Sequence, residues 1–385
     1  MMKKSSIVLT REFISFLKSN QRARRRSKRV ILIEMQGNKS AQIAQSIFLQ
    51  TSFDVSAELI AYSPYLATPR VKILLYRFAL FFRVHRPTSW PFAVYLAMGA
   101  QRILFVRSNK VAYFEKRRLR KLFSSMSKQE ILFFNYCGIR IGDLFYDSYL
   151  RAAGVPTIDP RLPECQKAFI DFMGGVLFWK KYFDSHDVAE VLITHSVYEQ
   201  GIPARFAIRE NRDVFLVTSD RLFRLNQIDY LSDLEFKYYD PNAKFFNNYL
   251  IKISKSSERL DQLFKGVIGV DIAHSFVSGL AGNGSDRIVS ARLPVRVLIA
   301  AHCFSDSPHA NGDHIFADFW EWLSFLGNLA LETEYEWYIK AHPAFFESDK
   351  DIFENFCKQF PHIIPIPSSY SNPELIGQGV NVVLT

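Results

Sequence analysis

Three polar clusters in the last quarter of the chain each follow directly on an apolar run, and their residue types suit the gripping of a phosphate. The clearest is Lys340-Ala341-His342-Pro343, at the end of Tyr335–Lys340. Side chains two apart on a strand share a face, so Lys340 and His342 point the same way, and the proline sets the turn that aims them. Both donate hydrogen bonds to phosphate oxygens, as a nucleotide mono- or diphosphate leaving group requires. The alternative is a strand-end pair of no special use. The second cluster, Ser368-Ser369, precedes a short helix at Pro373–Ile376. Hydroxyls and N–H groups ahead of a helix N-terminus form an anion site, although two serines also suit a solvated turn. The third, His302 to His309, carries His302, Asp306 and His309 after the strand Val295–Ala301. These three further residues would line the same edge.

In the first half, the candidates are groups that could take a proton from a hydroxyl. His195 follows the strand Val188–Ile193, and Asp143 and Asp147 lie in Gly142-Asp143-Leu-Phe-Tyr-Asp147, a loop running into a helix. Tyr198 and Arg205 come shortly after His195 and could position an acceptor sugar or its phosphate. Each has a structural alternative. Asp143 can cap its helix, and His195 can be a hydrogen-bonded framework residue.

Positioning such groups requires alternating strands and helices. Val30–Glu34 is a β-branched strand, followed by Gly37 and a helical stretch Ser40–Leu49, the opening of a βαβ layer. Val188–Ile193, a helix near Ile202–Glu210 and Val214–Thr218 repeat the pattern. In the C-terminal part, Phe316, Phe319, Trp320, Leu323 and Gly327 fall on one helical face. The strands Tyr335–Lys340, Ile363–Ile366 and Val380–Leu384 alternate with helices at Lys350–Phe360 and Pro373–Ile376. Short loops between such elements indicate a parallel sheet covered by helices, with ligands beyond the carboxyl ends of its strands.

At 385 residues the chain is long enough for two domains, and 48% hydrophobic with 22% charged residues is ordinary globular composition. The expected division is a basic segment 1–29, a first α/β domain 30–235, a connection 236–294 and a second domain 295–385. Four scattered cysteines without a CxxC pair argue against a disulfide framework or structural zinc, and fit a reducing cytoplasmic compartment. No apolar run reaches the roughly 18–20 residues that span a bilayer. Charge is uneven: residues 1–122 hold 24 Lys and Arg against 5 Asp and Glu, a net of +19, leaving −9 for the rest of a chain whose total is +10. Residues 70–122 mix these cations with large apolar side chains. They suit either a core helix pair with solvated arginines or a surface lying on anionic lipid. Nucleic acid would attract the same charge, but no nucleic-acid motif accompanies it, so it is not an expected partner.

The order strand, loop, helix, strand, Lys-x-His-Pro, helix, strand, Ser-Ser resembles the nucleotide-binding half of bacterial capsule and surface-polysaccharide glycosyltransferases of the GT-B fold. Capsular Kdo transferases and bacterial sialyltransferases carry comparable His-Pro and serine motifs. Phe316-Ala-Asp318-Phe-Trp320-Glu321-Trp322 and Gly142-Asp143-Leu-Phe-Tyr146-Asp147-Ser-Tyr149-Leu-Arg151 are similar to segments of the capsule group. The resemblance covers roughly residues 130–385. It implies two Rossmann-like domains, a nucleotide-sugar donor, and a glycan or lipid-linked acceptor at the inner membrane face. It places Lys340 and His342 on the donor phosphates and Ser368 and Ser369 on the nucleotide, with no metal and no cofactor. Relatives continue past the last strand with a Gly- and Glu-containing turn, so the second domain is expected to be truncated. A CDP-polyol phosphotransferase of the teichoic-acid polymerase type is the alternative enzyme. A catalytically degenerate relative that binds membrane or a partner is the other.

Overall fold

A computed structural model describes residues 12–19, 28–37, 39–51, 56–63, 90–217, 222–225, 286–290, 295–310, 312–342 and 347–385. Much of the basic N-terminal run, residues 70–89, the connection 236–285 with its Gly282–Ser285 turn, and Pro343 lie outside them. The chain is mixed α/β and divides into two compact units. The first comprises Met1–Ser148, Asp159–Leu234 and His309–Asp313; the second comprises Tyr149–Ile158, Glu235–Pro308 and His314–Thr385. Two short segments, 149–158 and 309–313, therefore belong to units that a division by sequence order would not assign them to.

The first unit is built on a six-stranded sheet. Its strands are β1 (Arg29–Glu34), β2 (Glu58–Ser63), β3 (Arg102–Phe105), β6 (Asp187–Ile193), β7 (Asp213–Val217) and β8 (Leu222–Leu225), in the order β3-β2-β1-β6-β7-β8. All neighbours are parallel except the edge pair β7–β8. An antiparallel pair, β4 (Asn135–Tyr136) and β5 (Ile139–Arg140), stands apart. Ile31, Leu32 and Ile33 of β1 are fully buried, as are most residues of β2. That continuous apolar run is what a parallel strand covered on both faces requires. Each such side chain contributes about 1.5–3 kcal/mol by leaving water. The chain winds from β1 to β2 to β3 on one side and to β6 and β7 on the other, so it reverses between β1 and β6.

Helix α1 (Lys39–Thr51) follows β1. Residues 12–19, read from sequence as part of a basic lead-in, are helical, and Leu17 is buried in the same core as Ile31 and Phe48. The basic-aromatic stretch is also partly framework. Helix α2 (Trp90–Ala97) buries Phe92, Val94 and Tyr95, and β3 extends the sheet. Helix α3 (Tyr113–Ser125) buries Leu119 and Phe123 and leaves Tyr113, Phe114 and its cations outside. Next come α4 (Lys128–Leu132), with a Ser127/Glu130 capping box, α5 (Gly142–Ala153), α6 (Pro163–Ser185) and α7 (Ile202–Arg209). Among the described residues no helix is long and apolar enough to cross a membrane.

The second unit carries the four-stranded parallel sheet β11-β10-β9-β12, from β9 (Arg296–Ala300), β10 (Glu336–Lys340), β11 (Ile364–Ile366) and β12 (Val382–Leu384). Here the reversal lies between β9 and β12. Helix α8 (Phe319–Leu331) is capped by Asp318, which accepts from the Glu321 N–H, and packs Leu323, Leu326 and Ala330 into the core. A Cβ at Gly327 would lie 2.7–2.8 Å from the Phe360 ring, so glycine lets this helix lie close to the end of α9 (Glu347–Gln359). Residues 286–290, expected in the connection, are part of this unit. Val289 is buried, and Ile288 and Val289 donate to Gln378 Oε1. Helix α10 (Asn372–Gly377) precedes β12.

Helix α5 begins at Gly142 itself rather than after a loop. A Cβ there would fall 1.6 Å from the Ile131 carbonyl oxygen, which no side-chain movement relieves. Gly142→Ala is expected to destabilise the protein by about 3 kcal/mol or more in denaturant titration. A loss under about 1 kcal/mol would contradict this packing.

Candidate functional site

In the second unit the predicted groups gather at the carboxyl edge of the sheet. His302, two residues past β9, stacks on Phe319 with ring centroids 4.7 Å apart, and its Nε2 lies 3.1 Å from Thr385 Oγ1, just past β12. It therefore sits at the β9/β12 reversal, where open parallel sheets take ligands. His342 Nδ1 is 3.4 Å from Cys303 Sγ. Burial lowers both imidazole pKa values from the ordinary histidine range; His342 and His314 add to the effect at His302, while at His342 Asp306 works against it and Lys340 adds to it. Each ring can thus donate one hydrogen bond as a neutral group. Burial pushes the Cys303 thiol up to about 12, which rules it out as a thiolate nucleophile near neutrality.

Lys340 reaches the serine loop, but two of its donors hold that loop's own structure. Nζ donates to the Tyr370 carbonyl at 3.0 Å and to Asn372 Oδ1. Its direct role is therefore to anchor the loop that presents Ser368 and Ser369, both exposed. The anion site expected at the following helix does not form. Helix α10 is one short turn and a half, and Ser371 and Glu374 close its N-terminus in a capping box. Asp306 is also not a phosphate ligand. Its carboxylate, which an anion would avoid, pairs with Arg151 at 2.9 Å. Arg151 is the cation that sequence spacing missed here, because it comes from α5.

His309 is not with this group. It belongs to the first unit, where its Nδ1 lies 2.6 Å from Asp147 Oδ1 and its N–H donates to Oδ2 at 3.3 Å. Asp143 is held bidentately by Arg205 at 2.5 Å through both oxygens. Arg205 also donates to the Arg140 carbonyl, and Arg140 pairs with Asp313 at 2.6 Å. Burial alone would raise the Asp143 pKa, but Arg205 and Arg140 outweigh it and hold the carboxyl below its ordinary value. A carboxylate so stabilised has little tendency to take a proton. Burial does raise the pKa of Asp147, against the His309 bonds, yet its side chain is only 2% exposed. Asp143, Asp147, Arg205 and His309 form a buried ionic framework, and none of them is placed as a base or an acceptor contact. Removing one partner from such a framework costs about 3–5 kcal/mol.

His195 alone among the predicted bases is exposed, at the carboxyl end of β6. Tyr198 follows with φ 56°, a left-handed backbone uncommon outside glycine, and opens the turn Tyr198–Gly201. The partner of this turn escaped the sequence reading. Glu34, the last residue of β1, is fully buried, and its Oε2 accepts from the Thr194 N–H at 2.6 Å and from Thr194 Oγ1 at 3.0 Å. Its Oε1 accepts from Gln36 Nε2 at 2.7 Å. The carboxyl thus spans the β1/β6 reversal. Burial raises its pKa to about 7, although hydrogen bonds from Thr194, Gln36 and the His195 backbone work in the opposite direction. A lone acid at the end of an apolar strand is the signal that could have revealed it.

Among the described residues no group of His, Cys, Asp and Glu is arranged to hold a metal ion. No protein-family model matches the chain, and neither a curated protein nor a solved structure is significantly similar to it.

Because the Glu34 carboxyl is raised on folding from 4.5 to about 7, its contribution to stability is present below about 4.5 and is lost as pH rises through about 7. The loss amounts to about 3 kcal/mol. Thermal melts at several pH values between 4 and 8 should show a decline that Glu34→Gln reduces by about that amount. Parallel curves for the two proteins would contradict the assignment.

Proposed function

We propose that the chain is a GT-B-like glycosyltransferase of bacterial surface-polysaccharide synthesis, its two units being Rossmann-like. The donor, a nucleotide-activated sugar, is held by its phosphates at the carboxyl edge of the four-stranded sheet. The observation that carries this reading is the placement along that edge of His302, at the β9/β12 reversal, of His342 after β10, and of the Lys340-anchored loop after β11 that exposes Ser368 and Ser369. Neutral imidazoles and serine hydroxyls donate to phosphate oxygens, and the third N–H of Lys340 supplies positive charge as the leaving group gains its negative charge. The acceptor oxygen forms a bond to the sugar's anomeric carbon, the bond from that carbon to the phosphate oxygen breaks, and a general base takes the hydroxyl proton, His195 being the exposed candidate. No metal is required in this scheme.

An anionic lipid surface is the proposed partner of α3. Tyr113 and Phe114 are 72% and 83% exposed at its start, and Arg117, Arg118, Arg120 and Lys121 are exposed along it. Apolar rings beside arginines suit the headgroup boundary, and would keep the enzyme at the cytoplasmic face of the inner membrane near lipid-linked acceptors.

Calorimetric titration of the full chain with UDP-, GDP- and CMP-sugars and with CDP-glycerol tests the reading. At least one nucleotide sugar is expected to bind, with His342→Ala weakening it by about tenfold, or about 1.4 kcal/mol. Binding of CDP-glycerol alone would turn the assignment to a polyol phosphotransferase, and no binding across the set would overturn it.

A further inference from the structure

Two helices of the chain carry exposed rings and unpaired charge in the same arrangement but with opposite sign. On α8 the buried face is Leu323, Leu326 and Ala330. Phe325 lies outside that face, 50% exposed, with its ring centroid 5.3 Å from that of Phe316. Glu332, seven residues on, caps the helix and is exposed, and exposed Glu334 follows. Among the described residues neither carboxylate makes an ion pair. The stretch between Arg296 and Lys340 holds seven Asp and Glu and no Lys or Arg, so the surroundings of Phe325 along the chain are acidic.

On α3 the buried face is Leu119 and Phe123. Phe114 is 83% exposed beside Tyr113, with ring centroids 5.7 Å apart, and Lys121, seven residues on, is exposed as well. Arg118 is held by Glu115. Arg117, Arg120 and Lys121 are exposed and make no ion pair among the described residues.

On both helices the ring precedes the charge by two turns, so the two share a face and stand about 10 Å apart along the axis. Laid side by side in parallel, the helices set Phe114 against Phe325 and Lys121 against Glu332. An antiparallel arrangement sets each ring against a charge. Rings leaving water supply the affinity, whereas exposed ion pairs contribute little each and select the partner and its direction. The partner that fits an acidic, ring-bearing helix is thus a basic helix of the same spacing, and this chain carries one. Both faces are exposed within a single chain, which leaves them free to meet in different copies.

We infer that the chain self-associates, with α3 of one copy lying parallel along α8 of a second. Each copy keeps the other half of the match, so two such contacts close a pair or further contacts continue head to tail. That face of α3 is also the one proposed to meet anionic lipid, so the two uses compete. The inference rests neither on glycosyl transfer nor on membrane binding.

Sedimentation velocity of the full chain, without lipid or nucleotide, tests it apart from both. At about 50 mM salt the mass is expected to rise with protein concentration above that of one chain, and at about 500 mM salt to fall back towards it. Lys121→Glu and Glu332→Lys, both at exposed positions, should each weaken association about tenfold and leave the melting temperature unchanged. Phe114→Ala should weaken it about as much while keeping the salt dependence. An equal mixture of the two charge variants reads the pairing itself. The Lys121→Glu copy still offers an intact α8 and the Glu332→Lys copy an intact α3, so the mixture should associate more strongly than either alone. The mass of one chain at every concentration, wild-type association in either charge variant, or a mixture no more associated than its components would overturn the inference.

Discussion

A carboxyl group with no exposure to water joins the two halves of the first unit's sheet. Glu34 ends the central strand β1, and both its side-chain oxygens are used, one toward Thr194 at the end of β6 and one toward Gln36 in the turn above. Burying an acid in this way is costly, and the cost appears as a pKa raised to about 7. What offsets it is position. The same group holds the exit of β6, from which His195 and the Tyr198 turn emerge, and accepts from Gln36 in the turn after β1. The geometry of the first unit's carboxyl edge follows from that one residue remaining in place.

The two units solve the same topological problem with different chemistry. Each winds outward from a central strand and then returns on its other side, and each reversal gathers polar side chains where strand ends splay. In the second unit these are imidazoles, a lysine and serine hydroxyls, suited to an anion. In the first they are a carboxyl, amides, a phenol and the exposed imidazole of His195. The buried ionic framework of Asp143, Arg205, Arg140 and Asp313, with Asp147 and His309 nearby, serves neither surface directly. It fixes the start of α5 against α7 and the 309–313 segment.

Many strand positions were legible because buried parallel strands announce themselves as apolar runs: β1, β6, β7, β9 and β10 all lie where such runs fall. The edge strands β3 and β8 were not legible, being short and mixed in composition, and β3 hides in a stretch whose arginines suggest a surface. The site was legible where residues follow strands in sequence, as at His302, Lys340, His342 and His195. It was illegible where side chains arrive from elsewhere. Asp143 reads as a helix cap or a base until Arg205, 62 residues away, is seen to hold both its oxygens. His309 reads as part of the His302 loop until the chain carries it to Asp147. Lys340 reads as a phosphate contact alone until two of its N–H donors are seen to hold the Tyr370 carbonyl and Asn372. Spacing along a chain reports which face a residue occupies; it does not report which distant partner has already claimed it.

The central claim is that an ionisable carboxyl bridges β1 and β6 at the edge of the first sheet, and its titration can be observed directly. Carbon-13 NMR of the side-chain carboxyl of Glu34, identified by comparison with Glu34→Gln, follows its protonation in the intact chain. The account predicts a midpoint near 7, well separated from the surface glutamates. A midpoint in the ordinary carboxylate range, near 4.5, would contradict the account, because burial would then not outweigh the hydrogen bonds from Thr194 and Gln36.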